Sequence, residues 1–420
     1  MPPKAKKEIL VLGAGPAGLM AAIAAARHGA KVTVLERMPE PALKLRASGG
    51  ERCNVTNTLA SEAFMEKLGR QGRFAEPALR VMGAPYLREF LGKLGVPTHA
   101  PNGFQVYPVS EKSSDVLNAL LAEVQRLKVK LLTGMQVVEL IRDGERVCGV
   151  KLSKGHIEAN AVIIATGSCG YPALGGNDSG YALARSVGHT LVPVAPSLVP
   201  VVTRERWPAE LAGVSVADVR VWMDVPGQSK EGMRGGLLFT HHGISGPAVL
   251  NLSGAVARLL TKQFAVQLRL DLLPEETVLQ TLEKLNGWRS KAGKKSVAKL
   301  LVAEGLPQAL GRQLLTLAGA EPEVIAAELS AEARDHLANL IHHLPLTARD
   351  TEGFKRAMVV RGGIALRDII SETLESEKLW GLYFAGEVVD IDGPCGGFNL
   401  QWAFASGWLA GLAAAGALPK

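Results

Sequence analysis

The first strong pattern in the chain is an uncharged run from Ile9 to Ala26, broken by Gly13, Gly15, Pro16 and Gly18. Short, unbroken apolar runs predict strands buried on both faces, here Glu8–Leu12 and Val32–Leu35. The small-residue segment between them, about Pro16 to His28, predicts a helix. Further helices are predicted near Ser61–Arg70, Pro77–Leu94 and Lys112–Leu127. Gln136–Gly167 reads as a small antiparallel meander. In it Val137–Ile141 and Val147–Leu152 flank the turn "RDGE", and Val162–Ala165 runs into "ATG".

From about Thr190 the pattern changes. Pro193, Pro196, Pro200, Pro208 and Pro226 punctuate β-like pieces: Leu198–Thr203, Ala217–Met223, Gly236–Thr240 and Phe264–Leu270. These predict an inserted, barrel-like β domain. Pro274–Leu344 is helical by pattern, with breaks at Pro307 and Gly311. Near Gly353 the chain returns to β-like, glycine-rich segments. Leu382–Ala385 then reads as a buried strand, Gly393–Asn399 as a loop, and Leu400–Ala413 as a long apolar helix. The class is α/β. The expected division is residues 1–189 and 351–420 as two parts of one nucleotide-binding domain, 190–273 as the β domain and 274–350 as a helical subdomain.

Two readings compete for the amino-terminal run. Lys4, Lys6 and Lys7 before an apolar, Ala-rich stretch resemble an export signal. Against that, the glycines interrupt what should be a continuous helix, Arg27 and His28 end it, and a strand follows. The alternative is a dinucleotide fold. Gly13-Ala14-Gly15-Pro16-Ala17-Gly18 matches G-x-G-x-x-G between a strand and a helix. Gly13 permits the tight turn, Gly15 lets backbone approach a pyrophosphate, and Gly18 lets helix pack on strand. The helix directs its amide-rich end at the phosphates. Glu36 ends the second strand, where an acid accepts hydrogen bonds from ribose hydroxyls and repels a 2′-phosphate. That favours FAD or NAD over NADP.

Composition adds limits. The chain of 420 residues can hold two or three domains. No later segment reads as a membrane span; Leu400–Ala417 contains Gln401, Trp402 and Ser406. Its four cysteines, Cys53, Cys148, Cys169 and Cys395, are far apart and predict neither a disulfide framework nor a metal site. A reducing cytoplasm is the expected compartment. The net charge of +7 permits acidic partners without requiring them. Part of it lies in Arg289, Lys291, Lys294, Lys295 and Lys299, either a solvated helix face or a polyanion contact.

Two later segments separate FAD from NAD. "AVIIATGSCG" (161–170) is a buried strand running into a small-residue turn. In "LWGLYFAGEVVDIDGPCGG" (379–397), Gly386 allows close backbone approach and Glu387 supplies a carboxylate for a ribityl chain. The last helix can aim its amides at a flavin edge. A second G-x-G-x-x-G is missing, so no dedicated NAD(P)H domain is predicted.

The stretches "GAGPAGLMAA", "SGGERCNVTN", "LLFTHHGISGPAVLNLSG", "RGGIALRDI" and "GLYFAGEVVDIDGPCGGFNLQWAFASG" resemble the HI0933-like flavoproteins, the BaiN or YhiN group. The likeness runs in order over nearly the whole chain. It implies a Rossmann-like two-dinucleotide-binding FAD domain interrupted by a β-barrel-like and a helical insertion. It also implies oxidoreductase chemistry, including reduction of C=C bonds in steroid-like molecules and of uridine in ribosomal RNA. Glu51 departs from the group's usual Gly, and Cys395 stands where Thr is common.

The expected FAD contacts are Gly13, Gly15, Pro16, Ala17, Gly18, Glu36, Arg37, Lys44, Ser48, Gly49, Gly50, Arg52, Cys53, Asn54, Val137, Ala165, Thr166, Gly167, Gly386, Glu387, Gly396, Gly397, Phe398 and Asn399. Arg52 is expected near a phosphate. His241 and Cys395 are candidate proton donors, and Arg361 a candidate anchor for an anionic or carbonyl-bearing substrate. Each also has a plain structural reading: a loop histidine, a small filler, a surface arginine. The expected activity is NAD(P)H-driven flavin reduction with hydride transfer to an unsaturated small molecule. Uridine in RNA is the alternative acceptor, and a flavin-binding sensor without turnover the alternative class.

Overall fold

A computed structural model describes residues 6–418; Lys4 of the export reading lies outside them. The chain divides into two compact units, one reaching to Ala195 and resuming at Val359, the other Pro196–Met358.

The first unit is built on a five-stranded parallel sheet in the order Leu382–Phe384, Ala161–Ile164, Glu8–Leu12, Lys31–Leu35, Lys130–Leu132. Its strands are apolar runs because helices cover them. Pro16–Arg27 and the carboxy-terminal helix Phe398–Ala415 pack backbone against backbone: a Cβ at Gly407 would run into the Ala17 carbonyl oxygen, and one at Gly411 into that of Ala21. Such contact admits only small side chains, so both helices are Ala- and Gly-rich and apolar on every side. That is the origin of the signal-like run. No helix among the described residues is long and apolar enough to cross a membrane.

The predicted meander differs in its third strand. Val137–Asp143 and Arg146–Leu152 pair antiparallel as expected, but the third member is His156–Glu158. Ala161–Ile164 joins the parallel sheet instead. The expected helix over Pro77–Leu94 is two, Glu76–Met82 and Ala84–Lys93, divided at extended Gly83. The last helix begins at Phe398 rather than Leu400.

The second unit is a closed six-stranded barrel, ordered Val201–Thr203, Gly243–Ser245, Met233–Thr240, Ser215–Met223, Val266–Asp271, Leu344–Thr351. Four helices, Val278–Lys291, Val297–Ala303, Gln308–Leu317 and Ala331–His343, share one apolar core with it, so the 274–350 segment is not a separate body. The closing strand was unpredicted because it follows a helix without a turn. Pro345 forces Leu344 out of the helical region, converting helix directly to strand. Leu191–Ser197, expected in the β domain, pairs with Val359–Ile364.

Candidate functional site

In the first unit the strand Glu8–Leu12 ends at Gly13, whose N–H donates to Leu35 O at 2.8 Å. Its φ is +99°, and a Cβ would lie 2.5 Å from Ala165 O, so the position admits only glycine. A Cβ at Gly18 would collide with the Gly13 carbonyl oxygen. Gly15 is different. It is the extended N-cap of the helix opening at Pro16, and a Cβ there would meet nothing within 4 Å. Open space therefore faces the end of the helix where the Ala17 and Gly18 amides emerge without intrahelical partners.

Glu36 closes one side. Its Oε2 accepts the Ala14 N–H at 2.8 Å and its Oε1 the Met38 N–H at 2.7 Å. The carboxylate is thus fixed against the glycine turn, with lone pairs left for hydroxyl donors. Met135 N–H donates to Glu36 O, which brings the start of the Val137–Asp143 strand to the same edge. Arg37 is exposed and reaches Gly175 O at 3.3 Å.

The far side is sewn from residues distant in sequence. Lys44 Nζ lies 2.8 Å from Glu387 Oε2, while Glu387 Oε1 accepts the Val360 N–H at 2.8 Å. Gly386 has φ +76°, and a Cβ there would press on Ala17 at 2.8 Å. Its N–H donates to Ser406 Oγ at 2.9 Å and its carbonyl accepts from Trp402 Nε1 at 3.1 Å. Asn57 Nδ2 donates to Gly396 O at 2.9 Å, and Gly397, at φ +82°, packs on the Thr56 carbonyl. The turn after Ala161–Ile164 adds Ala165, bonded to Leu12 O, and Gly167 at φ +71°. Two buried oxygens in this region, Thr166 Oγ1 and Asn54 Oδ1, have no partner.

An open glycine cradle at a helix end, a fixed acid, a cation and partnerless buried oxygens fit an elongated dinucleotide with a polyol chain. The family model described as "HI0933-like protein Rossmann domain" matches residues 7–413. The chain belongs to the HI0933-like family. Curated relatives include a 3-dehydro-bile acid Δ(4,6)-reductase of Clostridium scindens, 35% identical over 96% of this chain and 98% of that one. A ribosomal RNA dihydrouridine synthase of Haemophilus influenzae is 31% identical over 96% and 98%. Among solved structures, a 3-ketosteroid Δ4-(5α)-dehydrogenase from Rhodococcus jostii shares the fold with a TM-score of 0.53 at 18% identity, covering 98% and 97% of the two chains. This HI0933-like chain is an FAD-dependent oxidoreductase.

Several of the HI0933-like chain's expected contacts offer backbone only. Phe398 is buried in the core against Phe64 and Phe104, with ring centroids at 4.7 and 6.4 Å. The Asn399 amide is occupied at both ends by Gly393, at 2.9 and 2.8 Å. Cys53 is fully buried; burial pushes its thiol up to about 12, and it packs rather than reacts. Ser48 Oγ donates to Leu45 O at 2.7 Å, shaping the loop through Gly49 and Gly50, at φ +59° and +65°. Arg52 lies over the Tyr107 ring at 4.9 Å, with Glu111 at 4.0 Å.

The catalytic candidates divide between the units. His241 stands exposed in the barrel hairpin between Met233–Thr240 and Gly243–Ser245. Arg361 and Cys395 belong to the first unit. Arg361 Nε is 3.2 Å from Asp392 Oδ1. Burial raises the Cys395 thiol to about 12, so it stays protonated at neutral pH. Sequence reasoning missed Ser406 and Val360, which hold Gly386 and Glu387. A lone hydroxyl within the apolar "AFASGW" run was the available signal for Ser406; a backbone amide such as that of Val360 leaves none.

Proposed function

We propose that this flavoprotein reduces a C=C bond conjugated to a carbonyl in a small, largely apolar molecule, with NADH or NADPH as reductant. Bound FAD supplies two-electron chemistry, accepting hydride from a donor and delivering it to an acceptor. The glycine turn and helix end hold the pyrophosphate, Glu36 the adenosine ribose, and Glu387, steadied by Lys44, the ribityl hydroxyls. The amides at the start of the Phe398–Ala415 helix would favour the negative charge that grows on a flavin when it is reduced. Arg361 orients an acceptor carbonyl.

The observation that carries the reading is the Lys44–Glu387–Gly386 assembly, joined to the glycine turn through Ala17. It ties the amino-terminal glycine turn to the carboxy-terminal Gly386–Glu387 segment within one unit, which supports one extended cofactor reaching from the first to the second. The relative with 35% identity supports the acceptor class. The test is a visible spectrum of the purified protein, then anaerobic NADH or NADPH, then a 3-dehydro-Δ4,6 bile acid. Flavin bleaching followed by recovery with the acceptor is expected; colourless protein, or bleaching without recovery, contradicts the reading.

A second reading takes RNA as acceptor. Arg289, Lys291, Lys294, Lys295 and Lys299 are all exposed and make no ion pair among the described residues, and a relative at 31% identity is a ribosomal RNA dihydrouridine synthase. It predicts RNA binding that weakens steeply with salt and dihydrouridine in treated ribosomal RNA.

A further inference from the structure

Adding hydride to one carbon of a double bond requires a proton for the other. The geometry points to the Asp390 carboxyl as the source of that proton, an inference that rests on the C=C reduction proposed above. Asp390 lies in the loop between Gly386–Glu387 and the Gly393–Gly397 turn, the two segments assigned to the ribityl chain and the flavin edge. It is 9% exposed, and its Oδ1 has no hydrogen-bond partner. A buried carboxyl oxygen without a donor is costly when ionised and suits the protonated form.

The loop is held firmly. Asp390 N–H donates to Ile364 O at 3.0 Å, and Gly363, at φ +142°, would place a Cβ only 2.7 Å from Val388 O. The charged and titratable groups around the carboxyl are Asp392 on its own loop, Arg361 on the Val359–Ile364 strand and Tyr181 on the Ser179–Ser186 helix. The Gly362 N–H and the Gln71 side chain also bond to it. Burial and the Asp392 charge raise its pKa against those two hydrogen bonds and Arg361. The Asp392 carboxylate is itself engaged by Arg361, at 3.2 Å. Cys395, at about 12, is a much weaker acid than the task needs.

In the step, the hydride brings two electrons to the distal carbon of the conjugated bond. The π pair shifts to the neighbouring carbon, which takes the Asp390 proton: C–H forms as O–H breaks. The acceptor is reduced, NAD(P)H is the ultimate reductant, and water reprotonates the carboxylate.

The test uses the FAD-loaded protein, prereduced anaerobically and mixed with either ferricyanide, which needs electrons alone, or a 3-dehydro-Δ4,6 bile acid, which needs a proton as well. Asp390→Asn should slow reoxidation by the bile acid by on the order of 100-fold or more and leave ferricyanide within about twofold. The wild-type bile acid rate should fall as pH rises through the Asp390 ionisation, and Asp392→Asn should move that fall to lower pH by removing a like charge. Independently of turnover, the infrared carboxylic acid stretch lost in Asp390→Asn should titrate above the ordinary aspartate range. A band titrating within the ordinary range overturns the proposal, as does an Asp390→Asn protein that reduces the bile acid at the wild-type rate. If wild type passes no electrons to the bile acid while reacting with ferricyanide, the acceptor reading falls and this proposal falls with it.

Discussion

Lys44 and Glu387, 343 positions apart in the chain, form an ion pair at 2.8 Å with both side chains mostly shielded from water. The second Glu387 oxygen is bonded to the Val360 amide, so the carboxylate is held from two directions. Removing one partner leaves the other charge partly buried. Lys44→Met should cost about 1–3 kcal/mol in urea unfolding, and Glu387→Gln should weaken FAD retention roughly tenfold. In a double-mutant cycle the two should couple by about 1 kcal/mol or more. Strict additivity would show that the pair is incidental.

The three motif glycines should fail in different ways. Gly13 and Gly18 have no room for a Cβ, whereas Gly15 has open space. Gly18→Ala should destabilise the apoprotein by about 3 kcal/mol, because helix and turn must separate. Gly15→Val should leave apoprotein melting nearly unchanged and weaken FAD binding by on the order of 100-fold, equivalent to about 3 kcal/mol. Calorimetry of apoprotein beside flavin fluorescence titration separates the two effects. Equal loss of stability in both variants would remove the phosphate role of Gly15.

How much of this was legible in the sequence depends on whether a feature is local. The turn at Gly13–Gly18 and the acid at Glu36 follow from contiguous spacing, and the strand, turn and helix lie where that spacing put them. The sheet order does not. Ala161–Ile164 looks like a continuation of the meander before it, and only its pairing with Glu8–Leu12 distinguishes the two. Likewise, whether the side chains of Phe398 and Asn399 face a ligand or the core is decided by Phe64, Phe104 and Gly393, partners that spacing does not reveal.

Stability should also depend on pH through His189. Its ring is 4% exposed and packs edge-on against Phe384 at 4.7 Å. Ser376 Oγ accepts the Lys378 and Leu379 amides, so its own proton goes to His189 Nε2, at 2.7 Å. The ring is therefore neutral with hydrogen on Nδ1, which has no partner. Burial lowers the pKa from 6.5 to about 4, with Asp368 opposing and Lys378 adding slightly. A depressed histidine pKa means that the unfolded chain binds the proton first. The stability contribution is complete above about pH 6.5 and is lost as pH falls toward 4, by at most about 3 kcal/mol. His189→Gln should flatten the slope of unfolding free energy over that window; an unchanged slope would assign it to other groups.

Glu51 offers a gain rather than a loss. It occupies φ +69°, between Gly50 at +65° and Cys53 at +62°. A side chain in the left-handed region costs about 1–2 kcal/mol, partly offset because glycine loses more freedom on folding, by about 0.5–1 kcal/mol. The Glu51 side chain is exposed, and its carbonyl, which accepts the Ser113 N–H at 2.7 Å, survives substitution. Glu51→Gly should therefore stabilise the protein by up to about 1 kcal/mol, visible as a higher urea midpoint at unchanged m-value. FAD affinity should be equal or slightly improved. A clear loss of stability would mean that the glutamate makes a compensating contact and that the strain at this position is not relieved by glycine.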